Sequence, residues 1–148
     1  MTIRPVEPAD IAIFYDHQDD PVANEMAAFP PRDRERHDAH WAKVLVDDSV
    51  VLRTIVDRDL VVGNIVCFPM DDQQNIGYWI GRAHWGRGYA TAALSDLVTE
   101  LPTRPLYARV AKHNVSSSRV LAKCGFVVIG EETHEGDPVT EVVLRLDA

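Results

Sequence analysis

The stretch His84-Trp85-Gly86-Arg87-Gly88-Tyr89-Ala90 decides the fold of this chain. It follows a strand-like run, Ile76 to Ile80, and leads into an amphipathic helix that begins near Gly88. Glycine readily adopts positive φ and lets a ligand come close to the backbone. The first turn of a helix also has free N–H groups and the positive end of the helix dipole, which together bind phosphate. The segment therefore predicts a loop that binds a diphosphate, although a plain turn would also explain the glycines.

A dinucleotide-binding Rossmann fold is the main competing interpretation of this loop. Its fingerprint needs a third glycine or alanine where this chain has Thr91, and an acidic residue about twenty positions later. The loop also comes after several strands and past the middle of the chain, whereas a Rossmann unit usually opens its domain. The Rossmann interpretation is therefore set aside.

Composition limits the classes of protein to consider. The 148 residues carry a formal net charge of −8 and suffice for one domain, residues 1–148. The negative charge argues against a nucleic-acid partner, and no apolar run is long enough for a membrane span. The N-terminus lacks the basic and apolar regions of a signal peptide. Cys67 and Cys124 lack metal-ligand spacing, so we expect free thiols, no metal and a cytoplasmic location.

Turn residues and hydrophobic periodicity predict seven strands and five helices. Because a helix separates the strands at Asn75 and Leu106, those two strands are expected to pair in parallel. The predicted fold is a single α/β domain with a mixed sheet and helices on both faces. The predicted strands are Thr2 to Val6, Val50 to Val56, Leu60 to Phe68, Asn75 to Ile80, Leu106 to Val110, Phe126 to Gly130 and Val139 to Leu146. The predicted helices are Pro8 to His17, Pro21 to Ala27, Asp33 to Val46, Gly88 to Leu101 and Asn114 to Lys123.

A second motif runs from His113 to Phe126. By itself it describes an ordinary helix, with Asn114 as the N-cap and Gly125 as the left-handed residue after the C-terminus. Its position adds a second interpretation, because the helix follows the glycine loop by one helix and one strand. Its N-terminus is therefore expected at the same edge of the sheet, where open α/β sheets bind ligands.

The two motifs together resemble the GNAT superfamily of N-acetyltransferases. Within it the chain resembles the branch that acetylates ribosomal-protein N-termini and related amines. The match is carried by Gly-Tyr-Trp-Ile at 77–80, Trp-Gly-Arg-Gly-Tyr-Ala at 85–90, and Asn-x-x-Ser ending in Lys-Cys-Gly-Phe at 114–126. The opening Ile-Arg-Pro-Val-Glu-Pro-Ala-Asp also suits the first strand and helix of that branch. The resemblance implies a mostly antiparallel sheet in which one parallel strand pair splays apart.

The resemblance also implies roles for particular residues. The pantetheine arm of acetyl-CoA would pair with the strand edge around Trp79 and Ile80 and contact Asn114. The diphosphate would meet the backbone of the loop, and Ser117 would lie near the coenzyme sulfur and protonate the departing thiolate. The loop residues expected to bind the diphosphate are Trp85, Gly86, Arg87, Gly88, Tyr89 and Ala90.

Three positions depart from the pattern of that family. Leu121 stands where many members carry a tyrosine acid, which leaves the task to Ser117, to water or to nothing. Ala83 replaces an Arg or Gln, which a backbone cradle tolerates. Asn75 replaces a glutamate that helps to deprotonate the amine, so the general base is unassigned. A distant carboxylate reached through water, such as Glu25 or Glu135, stays open.

The resemblance implies transfer of an acetyl group from acetyl-CoA to a primary amine, either a protein N-terminus or a small amine. The amine would attack the thioester directly in a ternary complex, with the backbone around Ile80 polarising the carbonyl. Acidic residues outnumber basic ones more than twofold between residues 1 and 40, which suits a cationic acceptor. The alternative function is an acyl-CoA-binding sensor or scaffold that has lost turnover. A homodimer stays open.

Two pairs of side chains allow more than one interpretation. His37 and His40 lie three residues apart, and a solvated, carboxylate-rich helix face explains them better than a shared metal. Arg119 and Lys123 form either a solvated pair or a contact with the terminal phosphate of the coenzyme. The sequence does not choose between these two.

Overall fold

The computed structural model describes all 148 residues. It contains seven strands, five α-helices and one short 3-10 turn at Arg82–His84. The strands are β1 (Thr2–Pro5), β2 (Val51–Asp57), β3 (Leu60–Met70), β4 (Gln73–Ile80), β5 (Leu106–Ala111), β6 (Val127–Glu132) and β7 (Glu141–Leu146). The helices are α1 (Asp10–Gln18), α2 (Pro21–Ala27), α3 (Arg34–Leu45), α4 (Tyr89–Glu100) and α5 (Val115–Lys123).

Each predicted helix and strand is present in the predicted order. The ends differ by a few residues, most clearly where β4 begins at Gln73 instead of Asn75. Asp71 and Asp72 both have positive φ, which confines the preceding turn to two residues and lets the strand start earlier. The sequence did not predict the 3-10 turn, because its three residues carry no periodicity.

The seven strands form one sheet in the order β1-β2-β3-β4-β5-β7-β6. Only β4 and β5 pair in parallel, and all other neighbours are antiparallel. This confirms the mixed, mostly antiparallel α/β sheet.

Helices cover both faces of the sheet. Neighbouring residues of a strand point to opposite faces. Val62 of β3 belongs to the main core cluster with Leu94 of α4 and Leu121 of α5. Its neighbour Val61 packs instead with Phe14 of α1 and Trp41 of α3. The helices α4 and α5 therefore lie on one face, and α1 and α3 on the other.

The buried face of α3 differs from the expectation. His37 is only 2% exposed and stacks edge to face on Tyr15, with ring centroids 5.3 Å apart. The apolar spacing of Trp41, Val44 and Leu45 predicts that all three lie on the buried side of α3, but Leu45 is 37% exposed. The solvated-face interpretation of His37 is therefore wrong. The cause is that α3 turns its histidine toward α1, which the apolar pattern of α3 alone does not reveal.

None of the helices combines the length and the apolar character needed to cross a membrane. Both cysteines are free thiols; Cys67 is buried and Cys124 is partly buried.

Candidate active site

The strands β4 and β5 pair over a very short distance. Their register holds only two residue pairs, Gln74 with Leu106 and Asn75 with Tyr107. Beyond Asn75, β4 stays paired to β3 as far as Ile80, while β5 follows β7 to Ala111. The two central strands therefore part and open a slot in the middle of the sheet, as the splayed pair predicted.

A cavity of about 440 Å³ lies at the open end of this slot. It is bounded by β4, by the loop after the 3-10 turn, by the first turns of α4 and α5, and by α2. The lining residues are Ala23, Met26, Ala27, Tyr78, Trp79, Ile80, His84, Trp85, Gly86, Gly88, Tyr89, Ala90, Thr91, Asn114, Ser116, Ser117, Val120 and Lys123. The set contains no carboxylate and no cysteine.

The structure brings nearly all the predicted site residues to this one cavity. Arg87 is the exception, because it is not among the lining residues. Tyr78 and His84 also line the cavity and were not predicted as site residues, nor was the side of α2 that closes it. Of the pair left open in the sequence, Lys123 lines the cavity and Arg119 does not. The acid-rich segment of residues 1–40 contributes only Ala23, Met26 and Ala27 to the lining. The negative charge expected from its composition is therefore absent from the cavity lining.

Several carboxylates of this acidic segment form ion pairs with arginines. The pairs are Glu7 with Arg4 at 3.7 Å, Asp10 with Arg4 at 2.8 Å, Asp20 with Arg82 at 2.8 Å, Asp38 with Arg34 at 3.0 Å and Asp33 with Arg36 at 3.7 Å. Only Arg82 lies outside the segment, so these pairs leave most of the acid excess of residues 1–40 in place.

Both glycines of the loop have positive φ, +77° at Gly86 and +79° at Gly88. A Cβ at either position would meet no protein atom within 4 Å, so the space beside the loop is open. Gly88 is the N-cap of α4 and supplies no side-chain cap. The first helical hydrogen bond runs from the Ala92 amide to the Gly88 carbonyl at 3.1 Å. The helix therefore leaves the preceding amides of its first turn unpaired beside the cavity.

Side chains around the loop hold it in place. The Trp85 indole donates to the Ile80 carbonyl at 2.9 Å, which fixes the loop to the end of β4. The Tyr89 hydroxyl donates to Asp57 at 2.6 Å, which ties the first residue of α4 to β2. This hydrogen bond raises the pKa of Tyr89 and lowers that of Asp57. The loop is therefore anchored on both sides while its backbone donors stay available.

The strand β4 is fixed to α1 by Trp79. Its indole donates to the His17 carbonyl at 3.1 Å, and its ring meets Phe29 edge to face at 5.7 Å. The His17 ring is largely buried near His84, and the burial and this neighbour lower the pKa of His17. A neutral ring at this position avoids a buried charge behind the loop.

The start of α5 forms the opposite wall. The Asn114 side-chain oxygen accepts from the Ser117 amide at 3.3 Å, so the predicted cap is present. The side-chain nitrogen Nδ2 of Asn114 has no protein partner, whereas its backbone amide donates to the Ala111 carbonyl at 2.8 Å. Ser117 Oγ lies 2.6 Å from the Tyr78 hydroxyl of β4. Burial raises the pKa of Tyr78 to about 12, although the hydrogen bond to Ser117 works in the opposite direction.

Asn75 is held in a polar network at the point where the strands part. Its Oδ1 accepts from Arg109 at 2.5 Å, and its Nδ2 donates to the Gln73 carbonyl at 3.1 Å. Arg109 also pairs with Glu132 at 3.1 Å, which lowers the pKa of that carboxyl. Asn75 is only 2% exposed, so it serves to fix this junction and is not available as a base.

One cluster of metal-binding residue types lies on the β6–β7 hairpin. Glu132, His134 and Glu141 bring their ligand atoms within 4.8 Å of one another. Each carboxylate already has a cationic or hydrogen-bonding partner, Arg109 for Glu132 and the His134 ring, at 2.7 Å, for Glu141. The hydrogen bond to Glu141 raises the pKa of His134. The cluster is thus an internally paired surface group.

Comparison with known proteins places this chain in a family. Residues 1–127 match the family model of the acetyltransferase (GNAT) domain. The chain belongs to the GNAT family. It is accordingly an acetyl-CoA-dependent acetyltransferase, and the resemblance found in the two sequence motifs is confirmed.

Individual relatives agree with this assignment. The uncharacterised N-acetyltransferase p20 of Bacillus licheniformis is 26% identical over 140 residues, which cover 85% of this chain and 78% of that protein. Spermidine N-acetyltransferase from Vibrio cholerae, solved with CoA and spermine, has a TM-score of 0.84 at 16% identity and covers 99% of this chain and 94% of its own. RimL, a ribosomal alpha-N-protein acetyltransferase solved with coenzyme A, has a TM-score of 0.79 at 16% identity, with 98% and 92% covered. At these identities the two structures show a shared fold.

Proposed function

We propose that this enzyme transfers the acetyl group of acetyl-CoA to a primary amine, either a protein N-terminus or a small amine, by direct attack in a ternary complex. The observation that carries the proposal is the slot between β4 and β5, which opens beside the uncapped N-terminus of α4. An extended arm fits a strand edge, and a diphosphate fits a row of free amides.

The donor would bind along the slot. Its diphosphate would lie against the backbone from Trp85 to Ala90, where both glycines leave open space. Its pantetheine arm would pair with β4 at Trp79 and Ile80 and accept a hydrogen bond from the side-chain nitrogen Nδ2 of Asn114. The sulfur would then lie near Ser117, which lines the cavity.

The cavity favours direct attack over an acetylated enzyme. Neither Cys67 nor Cys124 lines it, and burial raises the pKa of both thiols. The Ser117 hydroxyl bonds to a phenol and has no adjacent base to make it a nucleophile. Rate acceleration would come from holding the amine against the thioester, with the β4 backbone around Ile80 polarising the carbonyl.

The absence of a carboxylate from the cavity walls bears on the acceptor. An α-amine with a pKa near 8 is about one-tenth neutral at pH 7, whereas a lysine with a pKa near 10.4 is neutral at only a few parts in ten thousand. An enzyme without a strong base therefore suits a protein N-terminus or a weakly basic small amine better than a lysine side chain. We propose the α-amine as the preferred acceptor class.

Two measurements test this function. Thermal unfolding should show stabilisation by acetyl-CoA and none by ATP or NAD. Release of coenzyme thiol, followed across a panel of amines, should then be faster with N-terminal α-amines than with lysine side chains at pH 7, and the difference should narrow as the pH rises. Saturable binding with no thiol release across the panel would favour the sensor or scaffold function.

A matched pair of serine variants tests the chemistry. Ser117→Ala should lower kcat by about 10²-fold, within the usual range for loss of a general acid, and leave the KM for acetyl-CoA within a few-fold. Ser118→Ala, one residue along α5 and outside the cavity lining, should leave both constants unchanged. Unchanged turnover of Ser117→Ala would remove Ser117 from the mechanism.

A further inference from the structure

The Tyr78 phenol and the Ser117 hydroxyl join β4 to α5 across the cavity. Their oxygens are 2.6 Å apart, and the phenol lies 3.3 Å from the Ser117 carbonyl. Both residues line the cavity. The Tyr78 ring packs against the main core cluster on the same face of β4 as Ile76 and Ile80, so its position is set by the core.

A serine hydroxyl in the first turns of a helix has several ways to point. It commonly turns back to a carbonyl three or four residues earlier in its own helix. Ser117 makes no such bond, and Tyr78 is the partner of its Oγ in the protein. The phenol therefore selects one rotamer of Ser117.

The geometry allows either hydroxyl to donate in this hydrogen bond, and the phenol, as the stronger acid of the two, is the better donor. Burial raises the pKa of Tyr78 to about 12, so the phenol keeps its proton at neutral pH. Its closest acceptor is Ser117 Oγ, and the carbonyl at 3.3 Å is the weaker alternative. When the phenol donates to Oγ, the proton of Ser117 itself is left without a protein acceptor and is free to point into the cavity.

We infer that Tyr78 is the positioning residue for proton donation by Ser117: its phenol donates to Ser117 Oγ and thereby turns the serine proton toward the coenzyme sulfur. The inference rests on the proposed function, in which Ser117 protonates the departing thiolate. On α5, Leu121 stands where many family members carry a tyrosine. In this chain a tyrosine on β4 would act instead, through Ser117.

The acyl transfer requires a proton for the sulfur. The C–N bond to the amine forms, the C–S bond breaks, and its electron pair stays on sulfur. Sulfur takes the Ser117 proton, while the amine nitrogen releases its surplus proton to water. Because an alkoxide is a stronger base than a phenolate, the Tyr78 phenol passes its own proton to Oγ as Ser117 gives up its proton. Water returns a proton to the Tyr78 phenolate after the thiol leaves.

The first test is Tyr78→Phe, which removes one oxygen and keeps the ring that packs in the core. We expect kcat for thiol release to fall by about 10-fold, as for a general acid that has lost its orientation, with the KM for acetyl-CoA within about twofold. Tyr15→Phe is the matched control, because the Tyr15 hydroxyl lies on α1 and outside the cavity lining. It should leave kcat unchanged.

The second test separates action through Ser117 from an independent effect. In a Ser117→Ala background, Tyr78→Phe should cost no further activity, because the group that it orients is already gone. In a Ser117→Thr background, which keeps a hydroxyl, Tyr78→Phe should again lower kcat. Thermal unfolding of each single and double variant should be measured as well. A loss of kcat without a loss of unfolding temperature then reports on Ser117 and not on folding.

The outcomes distinguish this inference from the proposed function. An active wild-type enzyme whose kcat is unchanged by Tyr78→Phe overturns the inference alone. So does a double variant in which the two losses multiply. A wild-type protein that binds acetyl-CoA and releases no thiol with any amine overturns the proposed function, and the inference with it.

Discussion

The helices α4 and α5 both begin at the cavity, but only α5 has a side chain that accepts a hydrogen bond from an amide of its first turn. At α5, the Asn114 side chain accepts from the Ser117 amide and closes the end of the helix. At α4, the N-cap is Gly88, which has no side chain to offer. One helix start is therefore satisfied within the protein, and the other keeps its donors for a ligand. We propose that the absence of a side-chain cap at α4 is the functional feature.

The largest effect should come from filling the open helix start. Gly88→Glu adds a side chain where φ is +79° and puts a negative charge into the open space where we propose that the diphosphate binds. We expect the Kd for acetyl-CoA, measured by calorimetry, to rise by more than about 10²-fold. The diphosphate would then meet a negative carboxylate instead of only the positive end of the helix dipole.

Gly136→Glu is the matched control for this variant. Gly136 also has positive φ, +80°, with no atom within 4 Å of a Cβ, and it lies in the turn before β7. It carries the same strain and charge away from the cavity, so it should lower the unfolding temperature without changing the Kd. A similar loss of binding in both variants would contradict a role for the α4 amides.

A smaller effect should come from the capped helix, where two roles of Asn114 can be separated. Asn114→Asp keeps an oxygen cap and loses the free amide donor. We expect stability to be retained and the KM for acetyl-CoA to rise by about 10-fold, as when one hydrogen bond is lost. Asn114→Ala should show the same rise in KM and lose about 1 kcal/mol of unfolding free energy in urea. An unchanged KM in the aspartate variant would mean that Asn114 only caps the helix.

The smallest effect should come from the end of α5 that meets the start of α4. The Cys124 thiol lies 3.6 Å from the Thr91 carbonyl, and Lys123 beside it lines the cavity. Lys123→Ala should raise the Kd for acetyl-CoA by about threefold at low salt, and less in 1 M salt, because an exposed charge is screened. Arg119→Ala, one turn earlier and outside the lining, is the control. Equal effects of the two variants would show a general field and no local contact.

Local sequence patterns were sufficient for most of the fold. The periodicity after Gly88, the stop at Pro102 and the strand at Leu106 together required a parallel crossover, and the structure contains it. The glycine loop could also be located, because a strand, two glycines and a helix follow each other directly along the chain. Such features depend on neighbouring residues and are readable without tertiary information.

The residues that the sequence analysis missed depend on contacts between distant elements. Tyr78 alternates with Ile76 and Ile80 and therefore looks like a core residue. Its hydroxyl meets Ser117 only because β4 and α5, 39 positions apart, face each other across the slot. The same holds for His37, whose burial depends on how α3 packs against α1. A search for a polar group among the core-facing residues of β4 could have found Tyr78.

The separation of β4 from β5 leaves an unpaired strand edge in the middle of the sheet. Beyond Asn75, β4 pairs only with β3, so its other side has unpaired backbone N–H and C=O groups. Such groups are normally found on the edge strands of a sheet and not at its centre. A donor arm bound there would behave as a temporary eighth strand, so the sheet would be complete only during the catalytic cycle.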